Sequence, residues 1–195
     1  VCDALGKPEG RVHKAFSLPR GVRVFLEYEA VYLTRRDLWE ARPYEVPLPL
    51  GDERLIPEAG IALHARRVVF DGSARKGVEG CLAGVREDRD CTFLDADLAV
   101  GEMVVRNARP GDRFRPLGLG GEKKLKDFFM DEKIPRSLRH RIAILEIGGR
   151  VAWVVGYRVD DRFKVSEGTR EVIHFQALSK DREEGTRTGK ISQIK

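Results

Sequence analysis

Residues 106–141 read RNARPGDRFRPLGLGGEKKLKDFFMDEKIPRSLRHR and carry the excess positive charge of the 195-residue chain. This stretch holds eleven Lys or Arg against five Asp or Glu, a net charge of +6, whereas the whole chain carries +5. The remaining residues therefore sum to −1. Positive charge concentrated in one segment is typical of proteins that bind a polyanion, although the solvated face of a basic protein remains an open alternative.

The same stretch predicts a turn, a glycine loop and two helices in succession. Turn-forming Pro, Gly and Asp occupy 110–112, and glycines make 118–121 a flexible loop. A helix is predicted over 122–133, because the residue that precedes Pro135 avoids helical backbone angles. A second short helix is predicted over 136–141, with the proline at or near its first position.

The predicted first helix has two different faces. At about 100° per residue, one arc is apolar and contains Leu125, Phe128 and Phe129. This arc predicts that the aromatic rings dock the helix onto a sheet, which is favoured over base stacking. The opposite side carries the lysines Lys123, Lys126 and Lys133.

Strand patterns lie on both sides of the helical segment. Apolar and polar residues alternate from Gly21 onward, and β-type residues recur over 61–70. Residues 44–50 contain two prolines and predict an edge strand or an extended link. The strongest strand pattern spans 150–159 and places five apolar side chains on one face: Val151, Trp153, Val155, Tyr157 and Val159.

This order of strands, one helical insertion and strands predicts the fold class. We expect an α+β fold of mostly antiparallel, β-sandwich-like sheets with a short helical insertion at about 122–141. The predicted domains are a lead-in segment at 1–20, a β-rich first subdomain at 21–100, a second domain at 101–178 and a polar tail at 179–195. The chain starts at Val1 without an initiator methionine, so we expect a piece of a longer protein.

Composition narrows the class of protein. Cys2, Cys81 and Cys91 are odd in number and lack C-x-x-C spacing, which disfavours a disulfide framework or a zinc site and favours reduced thiols in a cytoplasmic protein. No run approaches 18 apolar residues and no signal-peptide pattern is present, so we expect no membrane partner. Hydrophobic residues make up 42% of the chain, which indicates a globular protein.

Catalytic motifs are missing from the sequence. The histidines fall in no H-E-x-x-H arrangement, and neither G-x-S-x-G nor a G-x-x-x-x-G-K-[ST] phosphate loop occurs. The start of the predicted helix near Glu122 could still hold one phosphate through its free N–H groups. Asp95, Asp97, Asp160 and Asp161 are best explained as loop carboxylates, so no metal site is predicted.

The residues of 105–165 carry a resemblance to a known family. The run VRNARPGDRFRPLGLGGEKKLKDFFMDEKIPRSLR, followed by WVVGYRVDDRFKV, closely resembles the C-terminal domain of bacterial tRNA(Ile)-lysidine synthetase. The resemblance is strong over 103–178 and looser over 18–97. It implies a β-rich domain that grips a tRNA.

The resemblance also implies what the whole enzyme does. Enzymes of this family use ATP, with Mg, to join lysine to the wobble cytidine of an isoleucine tRNA with a CAU anticodon. Their separate N-terminal catalytic domain binds ATP through an S-G-G-x-D-S loop, and no Ser-Gly-Gly occurs in this sequence. We therefore expect no cofactor and no catalysis in this chain alone. Its implied role is to bind the tRNA, including the acceptor stem, so that the wobble cytidine reaches the catalytic domain.

Candidate RNA-binding residues are the Arg and Lys of the basic segment and of the strand region after it. Arginine makes forked contacts with phosphate or guanine, and lysine makes point contacts. Asp112 is predicted to orient Arg113 or to cap the turn. The candidates are Arg106, Arg109, Arg113, Arg115, Lys123, Lys124, Lys126, Lys133, Arg136 and Arg139, with Arg158, Arg162 and Lys164 as a second tier.

A function of another class also fits the sequence. The basic face could bind an acidic partner, which would make the chain an interdomain or protein–protein docking scaffold. The family's N-terminal catalytic domain is one partner that the resemblance implies. A homodimer is a further possible assembly. An independent nucleotide-using enzyme is disfavoured because the phosphate loop and catalytic bases are missing.

Overall fold

The structure is a computed structural model that describes residues 14–27, 30–35, 42–69 and 90–179. Its main body contains an antiparallel five-stranded sheet in the order β13-β12-β11-β8-β4. The strand β4, which holds Pro47, lies at the edge of this sheet, where a missing N–H is tolerated. The strands are β4 (Glu45–Pro47), β8 (Met103–Asn107), β11 (Ala143–Ile147), β12 (Arg150–Val154) and β13 (Arg158–Val159).

A four-stranded antiparallel sheet packs against the first one. Its order is β5-β6-β14-β7, so the last described strand lies between two strands that come much earlier in the chain. The long pair β6 and β14 is in register from Ile61↔Ser179 to Val69↔Glu171. The strands are β5 (Glu53–Ile56), β6 (Ile61–Val69), β7 (Cys91–Asp95) and β14 (Glu171–Ser179).

Alternating side chains of the two sheets form one apolar core. The ring centroids of Trp153 and Phe175, one from each sheet, are 6.5 Å apart. Because successive strand residues point to opposite faces, each strand gives every second residue to this core. Members include Leu63, Ala65, Leu94, Val105, Leu145, Ile147 and Ile173.

A β-bulge in the hairpin β11–β12 corrects the predicted face of strand 150–159. Leu145 pairs with Trp153 whereas Glu146 pairs with Val151, so Ala152 is an extra residue. Trp153 therefore faces the sandwich core while Val151 faces away from it. The predicted strand is also too long, because β12 ends at Val154 and a turn leads into β13.

A helical layer covers the other face of the five-stranded sheet. The helix α1 (Leu125–Asp131) buries Leu125, Phe128 and Phe129 against sheet residues that include Ile144 and Val154. The rings of Phe114 and Phe128 meet edge to face at 5.0 Å, a favoured geometry for aromatic pairs. The predicted docking of this helix is thus confirmed by its position.

The helical segment differs in detail from the prediction. The helix begins at Leu125 and not at residue 122, because the two preceding lysines belong to strand β10 (Lys123–Lys124), which pairs with β9 (Arg113–Phe114). The second helix is a 3₁₀ helix over Arg136–Arg141. The insertion is therefore a short hairpin followed by two short helices.

The α+β, sandwich-like fold class is confirmed, and both main sheets draw strands from the two sides of the predicted boundary near residue 100. The strand β14 from the predicted second domain lies between β6 and β7 of the first. Likewise, β4 pairs with β8 across the same boundary. Both sheets therefore need strands from both parts of the chain.

Other predicted segments lie partly or wholly outside the described residues. The lead-in segment contributes only β1 (Lys14–Leu18) and a 3₁₀ turn, and the predicted tail contributes only Ser179. The strand β1 joins β2 (Val22–Glu27) and β3 (Ala30–Arg35) in a three-stranded antiparallel sheet. Within the described residues, no helix is long and apolar enough to cross a membrane.

Candidate nucleic-acid interface

The hairpin β9–β10 and the helix α1 form the frame that presents the basic side chains. The N–H of Leu125, the first residue of the helix, donates to the carbonyl of Asp112 at 2.8 Å. This bond ties the start of the helix back to the turn before β9. The helix therefore starts three residues later than predicted, and the first of its N–H groups is occupied by this bond.

Arg106 is a buried residue, which corrects its prediction as an RNA contact. Its side chain is 3% exposed and lies among the carboxylates of Asp112 and Glu146. The guanidinium donates two hydrogen bonds to Asp112, at 2.8 and 3.0 Å, and one to Glu146 at 2.7 Å. Burial lowers the pKa of Arg106, but these hydrogen bonds and charges outweigh it and raise the pKa above its ordinary value. The donors of the Arg106 guanidinium are thus occupied by partners inside the protein.

Asp112 caps the turn, as predicted, but does not orient Arg113. Its carboxylate accepts the backbone N–H of Arg109 at 2.7 Å while it binds Arg106. Arg113 instead pairs with Glu122 at 3.2 Å across the hairpin. The turn at 110–112 is therefore held by a buried arginine that reaches it from β8.

Several other candidate cations are already paired with carboxylates. Such pairing lowers the positive field that a phosphate would meet, since each pair is locally neutral. Arg158 lies 3.9 Å from Glu132 and also donates to the carbonyl of Leu117 at 3.5 Å. The close pairs are Arg109–Glu45, Arg113–Glu122, Lys123–Asp131, Arg162–Asp160 and Lys164–Asp161.

Arg139 is held against the helical layer. Its Nε donates to the carbonyl of Ile134 at 3.0 Å, and its guanidinium carbon lies 5.9 Å from the ring centroid of Phe129. This position is typical of a cation–π contact, which is worth about 0.5–1 kcal/mol at an exposed site. The side chain is half-buried, so it contributes to packing as well as to surface charge.

Five candidate cations stay exposed and have no carboxylate partner among the described residues. All five lie in the insertion, between the end of β9 and the start of the 3₁₀ helix. We call them the free cations. They are Arg115, Lys124, Lys126, Lys133 and Arg136.

A buried carboxylate joins the insertion to the end of the five-stranded sheet. Asp160 is fully buried and accepts the N–H of Arg115 at 2.7 Å and the N–H of Arg162 at 2.9 Å. The guanidinium of Arg162 adds a two-pronged contact at 2.9 and 2.8 Å. The hydrogen bonds with Asp160 are the largest contribution that raises the pKa of Arg162. Arg162 is thus a structural partner of Asp160.

Sequence reasoning missed the roles of Glu146 and Asp160. Glu146 is 40 residues away from Arg106 in the chain, so no local pattern joins them. The capping role of Asp160 could have been predicted, because an aspartate that directly precedes a short helix can accept a backbone N–H from its first turn. Its side chain does accept the N–H of Arg162 at the start of the 3₁₀ helix Asp161–Phe163.

The fold and the site together define an α+β domain in which a basic insertion packs on one face of a β-sandwich. Residues 103–175 match the family described as the TilS substrate C-terminal domain. A crystal structure of a TilS C-terminal domain superposes with a TM-score of 0.58 at 27% identity and covers 71% of this chain and 98% of that chain. Residues 103–175 therefore form a domain of this family.

Relatives extend the similarity beyond the matched domain. The tRNA(Ile)-lysidine synthase of Caldanaerobacter subterraneus is 52% identical over 81 residues, which is 42% of this chain and 17% of the relative. That of Symbiobacterium thermophilum is 33% identical over 161 residues, which is 80% of this chain and 31% of the relative. That of Clostridium tetani is 28% identical over 180 residues, which is 90% of this chain and 36% of the relative. The chain thus spans about a third or less of the length of these relatives.

Proposed function

We propose that this chain is the tRNA-binding C-terminal region of a tRNA(Ile)-lysidine synthase. The observation that carries the proposal is the set of free cations, which leaves uncompensated positive charge on the insertion. A surface of this kind attracts a polyanion and releases counterions when phosphates bind. The names of the relatives add the substrate class, because each is a tRNA(Ile)-lysidine synthase.

The free cations suit the outside of an RNA stem. The major groove of A-form RNA is deep and narrow, so proteins recognise a stem mainly through its shape, its phosphates and its 2′-hydroxyls. Four of the free cations follow one another in sequence from Lys124 to Arg136, through a short helix and the turn after it. We propose that they contact acceptor-stem phosphates of an isoleucine tRNA with a CAU anticodon.

Catalysis belongs to another part of the enzyme in this proposal. A lysidine synthase needs ATP and Mg, and the S-G-G-x-D-S loop that would hold ATP does not occur in this sequence. The catalytic domain is therefore a proposed partner, which receives the wobble cytidine while this region holds the acceptor stem. A cytoplasmic location follows from the tRNA substrate. A homodimer stays a prediction, which light scattering of the purified chain would measure.

A binding experiment tests the charge assignment. The affinity of the full chain for a blunt-ended RNA hairpin is measured over a series of salt concentrations. A triple variant, Lys124→Gln with Lys126→Gln and Lys133→Gln, is expected to lower the slope of log affinity against log salt by about 3, since each phosphate contact contributes about 1. Circular dichroism verifies that the variant is folded, as expected for exposed side chains.

A matched control variant separates contacts from overall charge. The substitutions Arg109→Gln, Lys123→Gln and Lys164→Gln remove the same total charge, but from cations that are ion-paired in the structure. This control should keep the salt slope within about one unit of the wild type. Equal slopes for the two triple variants would contradict the assignment of the free cations.

The docking-scaffold alternative gives a different result in a related experiment. The chain is mixed with the catalytic domain of a lysidine synthase in the absence of RNA. Association that is tight, and that the Lys124, Lys126 and Lys133 substitutions abolish, would favour docking of this basic surface on a protein. RNA binding that is lost with the same substitutions, while association with the catalytic domain persists, favours the tRNA-binding function.

A further inference from the structure

A half-open groove lies beside the free cations. It has a volume of about 580 Å³ and runs between the glycine-rich loop of the hairpin β9–β10 and the segment after β13. Arg115 and Glu122 come from the two arms of the hairpin, and Asp161 comes from the opposite wall. Continuing the β9–β10 register by one residue places Arg115 opposite Glu122, so the groove begins where the hairpin opens.

Backbone hydrogen bonds fix the two walls relative to each other. The N–H of Asp161 donates to the carbonyl of Arg115 at 2.7 Å, and the N–H of Leu117 donates to the carbonyl of Val159 at 2.9 Å. The buried carboxylate of Asp160 receives the N–H of Arg115 from below. The groove is therefore preformed, which lowers the entropy cost of binding a ligand.

The wall of the groove formed by the glycine-rich loop exposes backbone and few side chains. Gly118 and Gly120 have positive φ angles of 83° and 59°, which favour glycine. A Cβ atom at either position would meet nothing within 4 Å, so the wall borders open space. A flat group can thus approach this wall closely, without steric hindrance from side chains.

The chemistry of the groove differs from that of the surrounding basic surface. Its polar side chains are one guanidinium, from Arg115, and two carboxylates, from Glu122 and Asp161. Each carboxylate is more than two-fifths exposed and makes one ion pair, with Arg113 and Lys164 respectively. A carboxylate has about four lone-pair sites, so both can accept further hydrogen bonds. Two carboxylates repel a phosphate group, whereas they attract a neutral group that donates hydrogen bonds.

We propose that this groove binds one unpaired nucleobase at the end of the RNA stem. The inference rests on the proposed function and adds a single-strand subsite to the stem-binding surface. Unpaired bases are commonly stacked on an aromatic ring or an arginine plane and hydrogen-bonded along their Watson–Crick edge. Here Arg115 supplies the plane and the positive charge for the adjacent phosphate, while Glu122 and Asp161 accept from the base.

The acceptors predict which bases are bound. Cytosine presents its N4 amino group as a donor, and carboxylates are its usual protein partners. Uracil presents the O4 carbonyl at the same position, and this oxygen would face a carboxylate. The groove therefore selects cytosine over uracil, two bases of the same size and shape.

The test compares three RNA hairpins that share one stem. One is blunt, one carries a short 3′ overhang of cytidines and one carries an overhang of uridines of equal length. Binding to the full chain is measured by fluorescence anisotropy at fixed salt. The cytidine overhang is expected to bind about tenfold more tightly than the uridine overhang, the lower end of the usual discrimination by a good base contact.

A double variant assigns the effect to the groove. Glu122→Gln with Asp161→Asn keeps the side-chain shapes but replaces two carboxylates with amides that also donate. The preference for cytidine should fall to less than about twofold. The control variant Asp52→Asn with Glu53→Gln removes the same charge from β5 and the residues before it, in the other sheet, and should keep the preference.

Each outcome bears on one of the two proposals. Equal affinity for the cytidine and uridine overhangs in the wild type, together with salt-dependent binding of the blunt stem, overturns the groove inference alone. A cytidine preference that survives in the groove variant also overturns it. Failure of the chain to bind even the blunt stem contradicts the proposed function itself.

Discussion

Replacing Arg106 with methionine is expected to lower the free energy of unfolding by about 3 kcal/mol. The substitution keeps a long apolar stem but removes a guanidinium that is 3% exposed. Loss of one partner from a buried ion pair costs about 3–5 kcal/mol, because the other charge stays behind unpaired. Asp112 and Glu146 keep 11% and 17% exposure, so water can reach them in part, and we expect the lower end of that range.

Urea unfolding followed by circular dichroism measures this loss. For a domain of 150–250 residues, 1 kcal/mol shifts the thermal midpoint by about 2–4 °C, so the midpoint should fall by roughly 6–12 °C. The matched control is Arg109→Met, whose ion pair with Glu45 is about half exposed on both sides. An exposed pair of this kind contributes about 0–1 kcal/mol.

A triple variant tests the physical cause. Adding Asp112→Asn and Glu146→Gln to Arg106→Met removes the unpaired carboxylates and should recover part of the lost stability, since replacing a whole buried ion network is often neutral. A loss below about 1 kcal/mol for Arg106→Met would refute the buried-pair explanation. If Arg106→Met left the stability unchanged but weakened RNA binding, Arg106 would be an RNA contact, as the sequence predicted.

Three other changes test the fold and the surface. A fragment of residues 101–179 should be unfolded by circular dichroism, whereas a fragment of residues 42–179 should fold, because β14 lacks both neighbouring strands in the shorter fragment. A folded short fragment would contradict a sandwich built from both parts of the chain. Phe128→Ala should cost about 3–5 kcal/mol in urea unfolding, since its ring is fully enclosed, against about 0.5 kcal/mol or less for exposed Met130→Ala. Asp131→Asn frees the ammonium of Lys123 and should raise the RNA salt slope by about 1; an unchanged slope would place Lys123 away from the phosphates.

Periodicity in the sequence was sufficient for the parts of the fold that depend on neighbouring residues. The apolar arc of Phe128 and Phe129 predicted the docking of α1. The prolines of residues 44–50 predicted an edge strand or an extended link, and β4 is an edge strand. Pairing of distant strands was beyond such reasoning, because any alternating segment could pair with β14. The bulge at Ala152 was equally hidden, since one extra residue reverses the face of every side chain beyond it.

The sequence predicted which segment carries the candidate cations, but not which of these cations are free. Net charge identified the insertion as the basic part of the chain, yet it counted Arg106 and Lys124 alike. Only the structure separates a cation whose donors are filled by Asp112 and Glu146 from one that faces solvent. Two of the carboxylate partners, Glu45 from β4 and Glu146 from β11, lie 64 and 40 residues from their arginines, separations that a local charge pattern does not contain.

This separation of paired and free cations gives the acidic residues of the insertion a role in recognition. A surface on which every Lys and Arg stayed free would attract any polyanion, because phosphate contacts carry no sequence information. Neutralising Arg113 and Lys123 with Glu122 and Asp131 confines the positive field to the free cations. Glu122 also lines the groove, where its carboxylate has the proposed role of repelling phosphate and accepting from a base. Charge pairing and base selection therefore depend on one side chain, which joins the electrostatic surface to the proposed specificity of the groove.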